Sequence, residues 1–130
     1  MLHVVTSIIS YDIWFYISHV LLHQPLLYWI HKEHHSNSEP TFLDTYVGHW
    51  IESPFQGIGM FVPFVIYTYS YMDIALILTF LNIRGMLRHD PRGSFIVGTH
   101  HLIHHKILDC NYGEYWLDIL FGTCNDSKRV

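Results

Sequence analysis

The chain has 130 residues, half of them hydrophobic, and its charged share of 14% sits well below the roughly 25% of an ordinary soluble domain. A net charge of −4 with no basic run argues against a nucleic-acid partner, and Cys110 and Cys124, far apart and with no C-x-x-C, argue against a zinc ribbon or a disulfide-built fold. Two anomalies remain: long apolar runs that point to a membrane protein, and twelve histidines dispersed through one domain's length of chain.

Residues 2–22 form an apolar run of the length a bilayer-spanning helix needs. No Lys or Arg precedes Lys32, so a cleaved signal peptide is not expected. Asp12 is costly in hydrocarbon and is therefore read as facing the protein interior. Asp12, Tyr16, His19 and His23 fall on one helical stripe, and Asp12 is expected to orient a histidine as a hydrogen-bond acceptor.

Residues 19–35 read HVLLHQPLLYWIHKEHH. Positions three and four apart share a helical face, so His19 pairs with His23, and His31 with His34 and His35. Pro25 lacks an N–H and cannot continue a regular helix. A bend near residues 24–25 is expected to turn both histidine faces toward one centre. Residues 36–54 are more polar, and FLDTYVGHWIE within them is read as a short amphipathic surface helix. His49 and Glu52 lie there, either in the site or on the surface.

Residues 55–83 are apolar and too long for a single crossing. Ser70-x-x-Asp73 is a helix-start signal, so the stretch is split into a hairpin of two short helices. Its turn lies at residues 69–72, and Pro63 bends the first arm. The seven basic residues (Lys32, Arg84, Arg88, Arg92, Lys106, Lys128 and Arg129) all fall on one side of this layout. The positive-inside rule then places residues 32–54 and 84–130 in the cytoplasm. A further helix is expected through residues 100–106, carrying HHLIHH, with a short one ending at Phe121-Gly122-Thr123. The expected fold is thus all-α and integral to the membrane, with three histidine boxes on a cytoplasmic face and a central apolar hairpin.

Neutral imidazole is the commonest metal-ligating side chain. Even with His100 set aside, eight histidines in three clusters oversupply one four-coordinate ion and fit two. Glu33 is the sole carboxylate within the clusters and its neighbours favour an outward position; no G-x-S-x-G motif is present. A nitrogen-only dinuclear centre suits redox iron, and zinc is also acceptable to it.

The boxes HVLLH, HKEHH and HLIHH, in this order, resemble the signature of the fatty acid hydroxylase/sterol desaturase superfamily. The flanks are similar too: YDIWFYISHVLLH resembles that family's entry helix, and HHLIHHKILDCNYG followed by LDILFGT its C-terminal box. The resemblance implies a non-haem diiron site that activates O2 to hydroxylate or desaturate a sterol or fatty acyl lipid. It also implies an electron donor of the cytochrome b5 or reductase kind, and the endoplasmic reticulum if the source is eukaryotic. Carried over position by position, the ligands are His19, His23, His31, His34, His35, His101, His104 and His105. His89 matches the isolated ligand between boxes two and three, while His100 and His49 are further candidates. Three departures stand out. Val20 takes a place where the family often has Arg, the spacer from Asn111 to Asp118 is short, and the family's preceding membrane helices are absent from this single domain over residues 1–130. The rival readings are a zinc-dependent membrane hydrolase, with Glu33 or Glu52 as base, and a non-catalytic remnant that binds lipid or a partner subunit.

Overall fold

The computed structural model describes residues 1–125, which form helices joined by turns and short loops, with no strand among the described residues. Lys128 and Arg129, counted above for the charge asymmetry, lie outside the described residues. The first helix, α1, runs Leu2–Leu22 and stops where the Gln24-Pro25 turn begins. It is the one helix among the described residues long and apolar enough to cross a membrane. Its polarity is inverted relative to a helix of a water-soluble core: Val5, Ile9, Ile13, Ile17 and Leu21 face out along an i+4 row, while Ser7, Asp12, Tyr16, Ser18 and His19 are buried.

The second box does not lie on one helix as expected. The helix α2, Tyr28–His31, lasts a single turn, and the chain then tightens into a 3₁₀ turn over His34–Ser36. The stretch 42–52 also differs from the amphipathic helix expected there. It forms a 3₁₀ turn over Phe42–Tyr46, then an extended break at Val47 and Gly48, before α3 starts at Glu52 and ends at Gly57. Gly48 has φ +155°, a conformation that side-chain-bearing residues rarely adopt.

The apolar hairpin is present, with a different first arm. Residues Ile58–Val65 are 3₁₀ rather than α, and Pro63 lies inside that tighter coil instead of bending an α-helix. This arm packs chiefly against α1. The approach is close because Gly59 has no side chain: a Cβ there would stand 2.3 Å from Trp14 Cβ. Trp14 also donates its indole N–H to Phe55 O at 2.7 Å. The second arm, α4, runs Tyr71–Arg88 and opens with the expected cap. Asp73 N–H donates to Ser70 Oγ at 3.2 Å and Ser70 N–H donates to Asp73 Oδ2 at 2.9 Å. Tyr69, at the turn, donates to His3 O at 2.9 Å and so pins the hairpin to the start of α1.

Beyond α4 come α5 (Ser94–Val97), α6 (His100–Lys106) and α7 (Tyr115–Phe121). Two partly buried arginines of α4 tie the assembly together. Arg84 forms a two-pronged ion pair with Asp12 of α1 and reaches Glu114 at 2.9 Å; Arg88 also pairs with Glu114.

Candidate metal centre

Nine imidazoles converge in two groups. His19, His23, His31, His35 and His104 form the first, His34, His89, His101 and His105 the second, and the facing nitrogens within each lie within 4.8 Å of one another. Helical spacing accounts for the division. The i,i+4 pairs His19/His23 and His31/His35 serve the first group, the i,i+4 pair His101/His105 serves the second. The odd member of each later box crosses over: His34 joins the second group and His104 the first. His89, the residue that caps α4, completes the second.

The nitrogens are aimed as metal ligands are aimed. Nε2 of His31 lies 2.9 Å from Nε2 of both His19 and His35, and Nε2 of His89 lies 3.0 Å from that of His34 and 3.1 Å from that of His101. At the opposite ring edge, Nδ1–H has an acceptor in most cases. His104 donates to Cys110 O at 2.6 Å, His34 to Val47 O at 3.0 Å, His89 to Gly85 O at 2.8 Å, and His105 to Asn37 O at 3.3 Å. His19 Nδ1 meets Tyr112 O, and His31 donates to Glu52 Oε1 at 2.8 Å. A ring that donates through Nδ1 presents its Nε2 lone pair inward, which is the tautomer a metal requires. Burial also keeps these rings neutral. It lowers His23 to about 4, and His89 and His105 to about 3, and it depresses His31, His34, His35, His101 and His104 as well. The residues present therefore fit two metal ions.

Among the described residues, the carboxyl that meets a ring of the two groups is Glu52, beside His31. Burial, reinforced by Glu33, raises it to about 8. Gly48 makes room for it, since a Cβ there would stand 2.7 Å from Glu52 Oε2. Asp12, assigned that part from the sequence, is turned instead to Arg84, because the guanidinium on α4 presents a matching two-pronged partner that no imidazole offers. His49 stacks edge-on against Trp29 at 5.1 Å and joins neither group. His100 faces away from His101 and meets Asp118 Oδ2 at 2.9 Å.

Asp118 is fully buried and organises the segment that aims two of the first group's rings. It accepts from Tyr112 N–H at 2.8 Å, Gly113 N–H at 2.9 Å and Thr123 Oγ1 at 2.7 Å. Burial opposes its ionisation, yet these hydrogen bonds and that of His100 outweigh it and hold the carboxyl below its usual range. Sequence reasoning left this role out. The signal available was an acid inside the apolar LDILFGT stretch, which calls for donors.

A cavity of about 500 Å³ touches both groups, reaching His19, His31, His34, His89 and His101. Phe15, Met60, Phe61, Leu78 and Leu81 give it an apolar share of wall beside the polar Thr45, Asn82, Arg84 and Arg88.

Comparison with known proteins adds an independent line. The family model described as fatty acid hydroxylase matches residues 4–123. The chain is 31% identical over 129 residues to a Delta(7)-sterol 5(6)-desaturase of Gibberella zeae, covering 86% of this chain and 38% of that protein. It is 32% identical over 129 residues to lathosterol oxidase of Rattus norvegicus, covering 88% of this chain and 43% of the relative. With methylsterol monooxygenase 1 of Rattus norvegicus the identity is 30% over 128 residues, 86% of this chain and 43% of that protein. The chain thus spans about two fifths of the length of these curated relatives. No solved structure matches it.

Proposed function

The chain belongs to the fatty acid hydroxylase family, and from that premise we propose that it binds two iron ions, one in each histidine group, and uses O2 to hydroxylate or desaturate a membrane lipid. The observation that carries this reading is the pairing of five and four imidazoles, seven of the nine buried, beside one cavity that is walled in part by apolar side chains. Bound iron would supply O2 activation and the oxidising power to break an unactivated C–H bond.

The protein's own residues do the remaining work. The backbone acceptors at Cys110, Val47, Gly85 and Asn37, with Glu52, fix ring tautomer and direction, so the donor set is in place before metal binds. Phe15, Met60, Phe61, Leu78 and Leu81 give the substrate an apolar berth and exclude water from the oxidation. Electrons come from a cytochrome b5-type or reductase partner on the cytoplasmic side. The sterol-acting relatives favour a sterol over a fatty acyl chain. The outward apolar row of α1 supports residence in a membrane, with the endoplasmic reticulum the expected one in a eukaryote.

The test is reconstitution with iron, a reductase system and candidate sterols and acyl lipids under labelled O2. Label in an alcohol product, or lipid-dependent oxygen uptake with loss of two hydrogens, is expected. Tight zinc without oxygen uptake would favour the hydrolase reading, although Glu33 is exposed and Glu52 is engaged by His31. A protein that holds no metal at all would favour the remnant.

A further inference from the structure

The first histidine group divides into three rings that are held and two that are not. His19, His31 and His104 are fully buried, and each is fixed at Nδ1: His19 by Tyr112 O, His31 by Glu52 Oε1 at 2.8 Å and His104 by Cys110 O at 2.6 Å. His23 and His35 are only half-buried. Among the described residues neither has an acceptor at Nδ1, their ring contacts all being made through Nε2. For His35 that unpaired Nδ1 is itself buried. Two separate properties, an exposed edge and a missing acceptor, thus fall on the same two rings.

Their places in the chain account for this. His23 caps the C-terminal end of α1, just ahead of the exposed residues 24–26, and His35 lies in the 3₁₀ turn past the end of α2. The half-buried rings of Tyr28 and Tyr112 flank His23 at 5.8 and 5.1 Å. The cavity's lining includes His19 and His31 but neither His23 nor His35, so their exposed edges open on a different side. Turning the His35 ring toward solvent hydrates its Nδ1–H and relieves the cost of burying a donor without a partner; turning His31 or His104 breaks a hydrogen bond instead. The second group has no such opening. His34, His89, His101 and His105 keep 7%, 6%, 5% and 2% of their surface, the part facing the cavity included.

We propose that His23 and His35 form a two-ring gate through which a metal ion enters and leaves the first group, above a fixed cup of His19, His31 and His104, while the second group encloses its ion. The inference rests on the two-ion reading above and adds an order to it: the first group is the exchangeable site and the second the retained one. With five imidazoles, one gate ring can turn away and four nitrogens, the complement of a closed tetrahedral site, still remain.

The experiment is metal release from the full chain in phospholipid nanodiscs, loaded with zinc, which accepts nitrogen ligands without redox chemistry, and challenged with a coloured chelator. The native chain should take up two ions and release them in two phases about tenfold or more apart in rate, the usual scale for rings that lack a fixing partner. Diethyl pyrocarbonate labelling after the fast phase, mapped by mass spectrometry, should find His23 and His35 newly reactive while His34 and His89 stay protected. His23→Ala should still bind two ions and quicken the fast phase severalfold. His104→Ala should lose the fast phase and keep the slow one, and His34→Ala the reverse. Labelling that appears first on His34 and His89 overturns the gate without any variant. So does a folded His23→Ala that releases zinc at the native rates, or one that loses the fast ion outright as His104→Ala does. Release of two ions in a single phase removes the gate alone, whereas a native chain that takes up fewer than two ions removes the two-ion reading with it.

Discussion

His34 and His35 are consecutive in the chain, yet their rings stand at 85° to one another, centroids 5.4 Å apart, and belong to different metal groups. Adjacent positions on a helical turn point about 100° apart, so one peptide unit separates ligands of the two groups here, as it does between His104 and His105.

Replacing His34 or His104 by Ala removes a nitrogen from the second or the first group respectively. Each variant is expected to lower iron content and abolish turnover, the first by emptying its own group and the second through the loss of a ring fixed by Cys110 O. His100→Ala should leave iron bound, because its ring faces Asp118 rather than either group. Elemental analysis of the purified variants, beside an oxygen-electrode assay, checks the ranking.

Asp118→Asn keeps the shape but puts an amide where Gly113 N–H and Tyr112 N–H now find acceptors. One of those donors is left without a partner, at a cost of roughly 1–3 kcal/mol in stability. Because Tyr112 O meets His19 in the same loop, metal affinity should also fall by about 10-fold or more. Thermal unfolding with and without iron measures both effects.

Acid should unfold the metal-free protein well above the carboxylate range. Folded-state values of about 4 for His23 and about 3 for His89 and His105 lie below the unfolded value near 6.5. The unfolded chain therefore binds more protons, so stability is full above about pH 6.5 and drains away as pH falls toward 3–4. Bound iron competes with those protons, and the iron-loaded protein should hold to lower pH. Chevron or melting series between pH 7 and 4 would show a flat profile if burial did not depress these rings.

The one-sided Lys/Arg distribution is the ground for expecting the hairpin turn and the histidine groups on opposite sides of a membrane. Cysteine placed at Ser70 should be shielded from an impermeant reagent added on the cytoplasmic side, while native Cys124 should react. The reverse labelling pattern would invert the orientation.

Much of the site was legible in the sequence because imidazole spacing is a local property: His101 and His105, four apart on α6, share a face of one α-helix. The first helix was legible for the same reason, its apolar run being continuous to Leu22. Long-range pairings were not. Asp12 and Arg84 are 72 residues apart, and Glu52 finds His31 across 21. A cue was nonetheless present, since Arg84 and Arg88 in an otherwise apolar helix require buried counter-charges, and Asp12 was one of few available. The tightened coil over Ile58–Val65 escaped because apolar composition alone does not distinguish 3₁₀ from α. The division of adjacent His34 and His35 escaped because it depends on where α2 stops.

The crossing-over of His104 into the first group and of His101 and His105 into the second has a consequence for biogenesis. Neither group is complete until the last box has been translated, and the Cys110 and Tyr112 carbonyls that aim His104 and His19 emerge later still. A nascent chain on the ribosome, with α1 and the hairpin already delivered, therefore carries two half-built nests of imidazole. On the proposed reading, metal binding is completed only at the end of synthesis: a chain halted before its last box keeps four of the first group's five rings but only two of the second group's four.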